Sequence, residues 1–152
     1  MTLIPERLID LLSPEKKAFA SLALTLADGS PQVTPIWFGW DGTHIILNTA
    51  RGRVKDRVLH RGGKVALAIV DPSDPYRYLQ IRGRVVDETE EGAYDVICDL
   101  RLKYRGDRNY PKNPGEVRVT YKVLPEQVFP KKYTTRPLNF SGQVLFHSQM
   151  RM

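Results

Sequence analysis

The sequence predicts a mainly β, α+β domain: six antiparallel strands curled into a closed or partly closed barrel, with a few flanking helices. Three observations carry this reading. From Phe19 onward apolar residues recur with a period of two, as in strands that bury one face. Asp28-Gly29 and Asp41-Gly42 stand between apolar runs, where glycine supplies the positive φ of a tight hairpin turn. Helical periodicity is confined to three short stretches, and closing a sheet of this size into a barrel removes its exposed edges.

In chain order, Pro5–Leu12 reads as a short helix, with proline in its first turn and Leu8, Leu11 and Leu12 on one face. Ser13-Pro14 ends it. Strands are expected over Phe19–Ala27, Gln32–Trp40 and His44–Asn48, joined by the two Asp-Gly turns into a three-stranded meander. Pro35 lacks an amide donor and belongs at an edge or bulge. Gly52–His60 reads as a helix with Val54 and Val58 inward, stopped by Gly62-Gly63. Lys64–Val70 is a nearly continuous apolar strand, Asp71–Pro75 a loop, and Tyr76–Glu88 a long strand in which Gly83 marks a bulge. Glu91–Tyr104 is the longest helix, with an apolar stripe of Ala93, Ile97, Leu100 and Tyr104. A polar loop over Arg105–Glu116 leads to the sixth strand, Val117–Val128.

The chain of 152 residues fits one domain, 1–130, followed by a tail, 131–152, carrying Tyr133, Phe140 and Phe146. No apolar run is long enough to span a bilayer, and no membrane association is expected. Cys98 is the only cysteine, which excludes an internal disulfide and points to a reducing, cytoplasmic setting. His44, His60 and His147 are too scattered for a metal-ligand pattern, so no metal site is expected. The serines lack a nucleophile-elbow setting.

A net charge of +6 favours anionic partners. Its most concentrated expression is Asn48-Thr49-Ala50-Arg51-Gly52-Arg53-Val54-Lys55-Asp56-Arg57, which leaves a strand and enters a helix. A helix start presents unpaired amides. Thr49 adds a hydroxyl, Arg53 a two-pronged guanidinium and Lys55 a point charge. Arg53 and Arg57 stand one helical turn apart. A solvated basic helix face is an equally good reading of the same run. Nucleic acid is disfavoured, because a polymer needs a basic face extended along the fold, ideally with stacking aromatics.

Two segments together carry a resemblance. Ala27-Asp28-Gly29-Ser30-Pro31-Gln32-Val33-Thr34-Pro35-Ile36-Trp37-Phe38, followed by Asn48-Thr49-Ala50-Arg51-Gly52-Arg53-Val54-Lys55, resembles the pyridoxamine 5'-phosphate oxidase-like superfamily. The branch it resembles most is the flavin/deazaflavin oxidoreductases that use coenzyme F-420. Tyr76-Arg77-Tyr78-Leu79-Gln80-Ile81-Arg82-Gly83-Arg84-Val85 is similar to that family's strand after the mid-chain loop. The resemblance covers roughly Leu22 to Val128. It implies a six-stranded split β-barrel of the FMN-binding type, a homodimer with two cofactor clefts at the subunit interface.

The resemblance also implies roles. Thr49, Arg53 and Lys55 would hold the cofactor phosphate, and Arg57 would help with an anionic tail. Val33, Thr34, Pro35 and Ile36 would run beside the tricyclic ring, with Asn48 near the ring or the ribityl chain. Tyr76 and Tyr78 match a region that reaches the partner's cleft, and are the candidates for supplying a proton. The implied activity is hydride transfer from the reduced deazaflavin to a small electron-poor substrate, chemistry in which the cofactor reacts and the protein orients it. FMN has the same terminal phosphate and is the alternative; Arg51 and Arg57 favour the longer acidic tail of F-420. A non-catalytic flavin-, deazaflavin- or haem-binding protein is the third reading. One departure from the family pattern is His60-Arg61-Gly62-Gly63, which replaces an Asp-Pro-Arg turn.

Overall fold

A computed structural model describes residues 3–130. The tail 131–152 lies outside the described residues. Glu6–Leu12 forms a 3-10 helix in which Leu8, Leu11 and Leu12 are buried, and Ser13 closes it through its amide and hydroxyl on the Asp10 carbonyl. A second 3-10 turn covers Pro14–Lys16. The strands are β1 (Ala20–Thr25), β2 (Pro31–Ile36), β3 (Gly39–Trp40), β4 (Ile45–Ala50), β5 (Lys64–Asp71), β6 (Asp74–Thr89) and β7 (Arg118–Phe129). The helices are α1 (Val54–His60) and α2 (Ala93–Arg105).

All seven strands form one antiparallel sheet in the order β2-β1-β5-β6-β7-β4-β3. The six-stranded split barrel expected from the sequence is thus corrected to seven strands in a curled, open sheet, a half-barrel. The single strand expected over Gln32–Trp40 is two, broken at Trp37-Phe38, and the expected meander is lost with it. β2 pairs with β1, whereas β3 and β4 pair with each other and β4 pairs with β7. The sheet's two edges, β2 and β3, are therefore joined by two residues. That link spans at most about 11 Å, which forces the sheet to curl until its edges face each other. Pro35 sits in edge strand β2, opposite Ser21, where its missing amide costs no ladder bond.

The curl encloses Leu22, Phe38, Ile45, Leu67, Ile69, Leu79, Ile81, Val119, Tyr121 and Val123. Ile4 and the leucines of the first 3-10 helix join the same core. Arg77 ties that helix to the β5–β6 hairpin through Asp10 and Asp71, at 2.8 and 2.9 Å. The five-residue loop expected at Asp71–Pro75 is a two-residue turn, with Asp71 paired to Asp74. Gly83 does mark a register shift, and a side chain there would place Cβ 2.3 Å from the Leu124 carbonyl oxygen. Helix α2 packs against β4 and β7. No helix among the described residues is long and apolar enough to cross a membrane.

Candidate functional site

The end of β4, the turn into α1 and edge strand β2 converge on a cavity of about 190 Å³. Its lining is apolar at Leu22, Pro35, Ile36, Trp37, Leu47 and Leu59 and polar at Asn48, Thr49, Arg53 and Lys55. Of the residues singled out in the sequence, Pro35, Ile36, Asn48, Thr49, Arg53 and Lys55 thus meet around one space. Val33 and Thr34 lie on the same strand but outside the lining, and Val33 is 65% exposed. Arg57 is exposed and also outside it. Tyr76 and Tyr78 lie on β6, away from this cavity, with Tyr76 92% exposed.

The turn itself is built on Asp56. Its Oδ2 accepts the Gly52 amide at 2.8 Å, and its Oδ1 accepts the Tyr121 hydroxyl at 2.6 Å and Arg51 Nη1 at 3.1 Å. Burial alone would raise the Asp56 pKa; the bonds from Tyr121, Gly52 and Arg51 outweigh it and hold the carboxyl below its ordinary value. The same burial, together with the Asp56 carboxylate, pushes the Tyr121 hydroxyl up. Helix α1 begins at Val54, two residues later than the sequence suggests, with Arg53 in extended backbone at its N-cap. The amides of Gly52 and Arg53 are committed to Asp56 and to the Ala50 carbonyl. They are not the free anion-binding donors that a helix start at Gly52 implied.

Arg51 is likewise committed. It donates to Glu88 at 2.9 Å and Glu90 at 2.8 Å as well as to Asp56. Glu88 also takes His60 at 2.8 Å, and its pKa is lowered first by Arg51 and then by His60. Arg51 and its three carboxylates hold α1 against β6, so the positive charge credited to Arg51 as an anion receptor is neutralised within the fold.

Asn48 is held on both sides. Its Nδ2 donates to the Ala93 carbonyl at 2.8 Å and Thr120 Oγ1 at 3.1 Å, and its Oδ1 accepts Arg118 Nη2 at 2.7 Å. Arg53, more than half exposed, pairs with Glu116 at 3.0 Å. Glu116 also accepts Arg118 Nη1 at 3.2 Å and Asn113 Nδ2 at 3.4 Å. Burial works to raise the Glu116 pKa, but these partners keep it lowered. Glu116 and Arg118 line a neighbouring cavity of about 380 Å³, with Tyr94 and Lys112.

Trp37 is set by α2. Its ring stacks on Tyr104 at 5.3 Å and 14°. The Tyr104 hydroxyl donates to the Ala18 carbonyl at 2.7 Å and accepts the Phe38 amide at 3.4 Å. Lys103 Nζ donates to the Phe38 carbonyl at 2.8 Å and lies 3.9 Å from the Phe38 ring centroid. The last turn of α2 thereby pins the link between the two sheet edges. Glu116, Arg118 and Tyr104 escaped sequence reasoning because each acts across a long separation, 63 residues for Arg53 and Glu116. Nothing in their local spacing signals the contact.

The profile of the pyridoxamine 5'-phosphate oxidase family matches residues 10–129. Among solved structures, an F-420 reductase is 32% identical, with a TM-score of 0.72 over 82% of this chain and 98% of its own. HupZ of Group A Streptococcus is 23% identical, with a TM-score of 0.59 over 84% of this chain and 93% of its own. Rv2991 of Mycobacterium tuberculosis is 21% identical, with a TM-score of 0.60 over 83% of each chain. The last two are likenesses of fold alone. The comparison with curated proteins gave no match. With four-fifths of its length under the family profile and a seven-strand half-barrel to match, the chain belongs to the pyridoxamine 5'-phosphate oxidase family.

Proposed function

We propose that the protein is an oxidoreductase that binds coenzyme F-420 and reduces a small electron-poor organic substrate. The observation that carries this reading is the mixed lining of the cavity. Thr49, Arg53 and Lys55 are donors suited to a phosphoryl group, and Pro35, Ile36 and Trp37 add apolar surface suited to a flat ring. Both halves of a phosphorylated flavin or deazaflavin are thus provided for. Bound there, the reduced cofactor would supply the hydride. The protein's own share is to hold the phosphate at the turn, to place the ring against the β2 wall and to keep water from that wall. The likeness to an F-420 reductase favours the deazaflavin; FMN, or ligand binding without turnover, is the alternative.

The cavity of about 190 Å³ is smaller than the roughly 300–1,000 Å³ that encloses a ligand of this size. We infer that a second copy of the chain completes it. The outward face of β2, β1 and β5 carries Val33, Ser21, Ala23, Ala66 and Ala68, with small side chains that admit close approach. Val70, Tyr76 and Tyr78 stand exposed at its end. Pro35 belongs both to this face and to the cavity lining, so a partner seated on the face would reach the cleft. In such a dimer Tyr76 and Tyr78 are the candidate proton donors.

The experiment is titration of the apo-protein with F-420 and separately with FMN, followed by the fluorescence of Trp37 and Trp40, with light scattering for mass. Micromolar F-420 binding, weaker FMN binding and a dimeric mass support the reading. Tighter FMN binding would make this a flavin protein on the same site. Binding of neither would overturn it.

A further inference from the structure

We propose that Glu116 is a built-in counter-anion that parks Arg53 beside the cleft and releases it to an incoming phosphoryl group. This rests on the cofactor reading above and deepens it. The two ends of the Arg53–Glu116 pair are unequally held. Glu116 is 14% exposed and keeps Arg118 and Asn113 when Arg53 leaves. Arg53 is 56% exposed and lines the cleft. Arg53 is therefore the end that moves.

The arrangement makes release cheap. The Arg118 side chain is 6% exposed and lies 3.2 Å from Glu116, so the carboxylate stays neutralised after Arg53 swings away. Without Arg118 the ligand would leave a half-buried anion uncompensated. The affinity the cleft displays is then a difference: the Arg53–phosphoryl contact less the Arg53–carboxylate contact it replaces. Anions that grip a guanidinium no better than a carboxylate does gain little from Arg53, while a phosphoryl group, with more acceptor oxygens, gains more. Glu116 thus sets a threshold: it weakens every anion that must displace it by a similar factor, and only a firm guanidinium ligand such as a phosphoryl group keeps useful affinity. A phosphomonoester, as in FMN, and a phosphodiester, as in F-420, share this chemistry.

The test is a double-mutant cycle. Wild type, Glu116→Gln, Arg53→Ala and the double variant are titrated with F-420, with FMN and with inorganic phosphate, the last followed by arginine side-chain NMR. Glu116→Gln should tighten binding up to about fivefold, the scale of an exposed ion pair. The gain should vanish when Arg53 is alanine. An equal gain in both backgrounds would overturn the proposal, because Glu116 would then act only as distant negative charge. A loss of affinity on Glu116→Gln would also overturn it, because Glu116 would then orient Arg53 for the ligand. If Glu116→Gln fails to fold, Glu116→Asp, which keeps the charge and shortens its reach to Arg53, takes its place. An Arg53-dependent gain for inorganic phosphate, with no binding of F-420 or FMN, would refute the cofactor reading and uphold the role of Glu116.

Discussion

The Tyr121 hydroxyl donates to Asp56 Oδ1 at 2.6 Å, linking β7 to the turn that joins Thr49 to Arg53 and Lys55. Tyr121 is fully buried and Asp56 nearly so. Tyr121→Phe leaves Asp56 with the Gly52 amide and Arg51, and should lower stability by about 1–2 kcal/mol. Asp56→Asn removes the charge and forces an amide among donors, and should cost more, about 2–3 kcal/mol, while weakening cofactor binding. Urea denaturation and ligand titration on each variant check both; unchanged binding in Asp56→Asn would show that the turn keeps its shape without the carboxylate.

Arg53→Ala and Lys55→Ala should each weaken phosphorylated-cofactor binding by about 1–3 kcal/mol, the usual scale of a charge-assisted hydrogen bond. Both effects should shrink at high salt. Isothermal titration at two ionic strengths is the measurement, and unaltered affinity in both variants would remove the phosphate site from this cavity. Arg51→Ala, in contrast, should act first on stability, since Arg51 is occupied by Asp56, Glu88 and Glu90.

Lys103 gives the protein a signature in alkaline solution. Burial pushes its pKa down to about 8, whereas in the unfolded chain it returns to about 10.4. Between these values the unfolded state binds the extra proton, so stability rises with pH. Below about pH 8 the cost of a buried ammonium is fully present. Burial holds Tyr104 up to about 12, which reverses the trend above the ordinary tyrosine pKa of about 10. Unfolding free energies should therefore climb from pH 8 to 10 in wild type and stay flatter in Lys103→Met. Equal slopes would show that Lys103 is solvated.

Gly83→Ala should destabilise the fold by about 1–3 kcal/mol or more. The new Cβ would meet backbone, the Leu124 carbonyl oxygen at 2.3 Å, and backbone cannot rotate aside as a side chain can. The measurement is the denaturation midpoint; a near-neutral result would show that β6 and β7 can part at Gly83 without cost.

Local pattern by itself determined most elements of this protein. Period-two alternation and the two Asp-Gly turns mark the strands, the stripe through Ala93, Ile97 and Leu100 marks α2, and Gly83 marks the bulge. These signals are legible because strand alternation, turn backbone and helix faces are set by neighbours a few residues apart. The basic turn at Thr49, Arg53 and Lys55 was legible for the same reason. Tertiary structure alone decided the break at Trp37-Phe38, which sends β2 and β3 to opposite edges of one curled sheet. It alone decided which positive charges face the cleft: Arg51 is taken by Asp56, Glu88 and Glu90, and Arg53 is paired with Glu116. A charge has no periodicity. Its availability depends on which counter-ion the folded chain brings within a few ångströms, and that depends on contacts between residues dozens of positions apart.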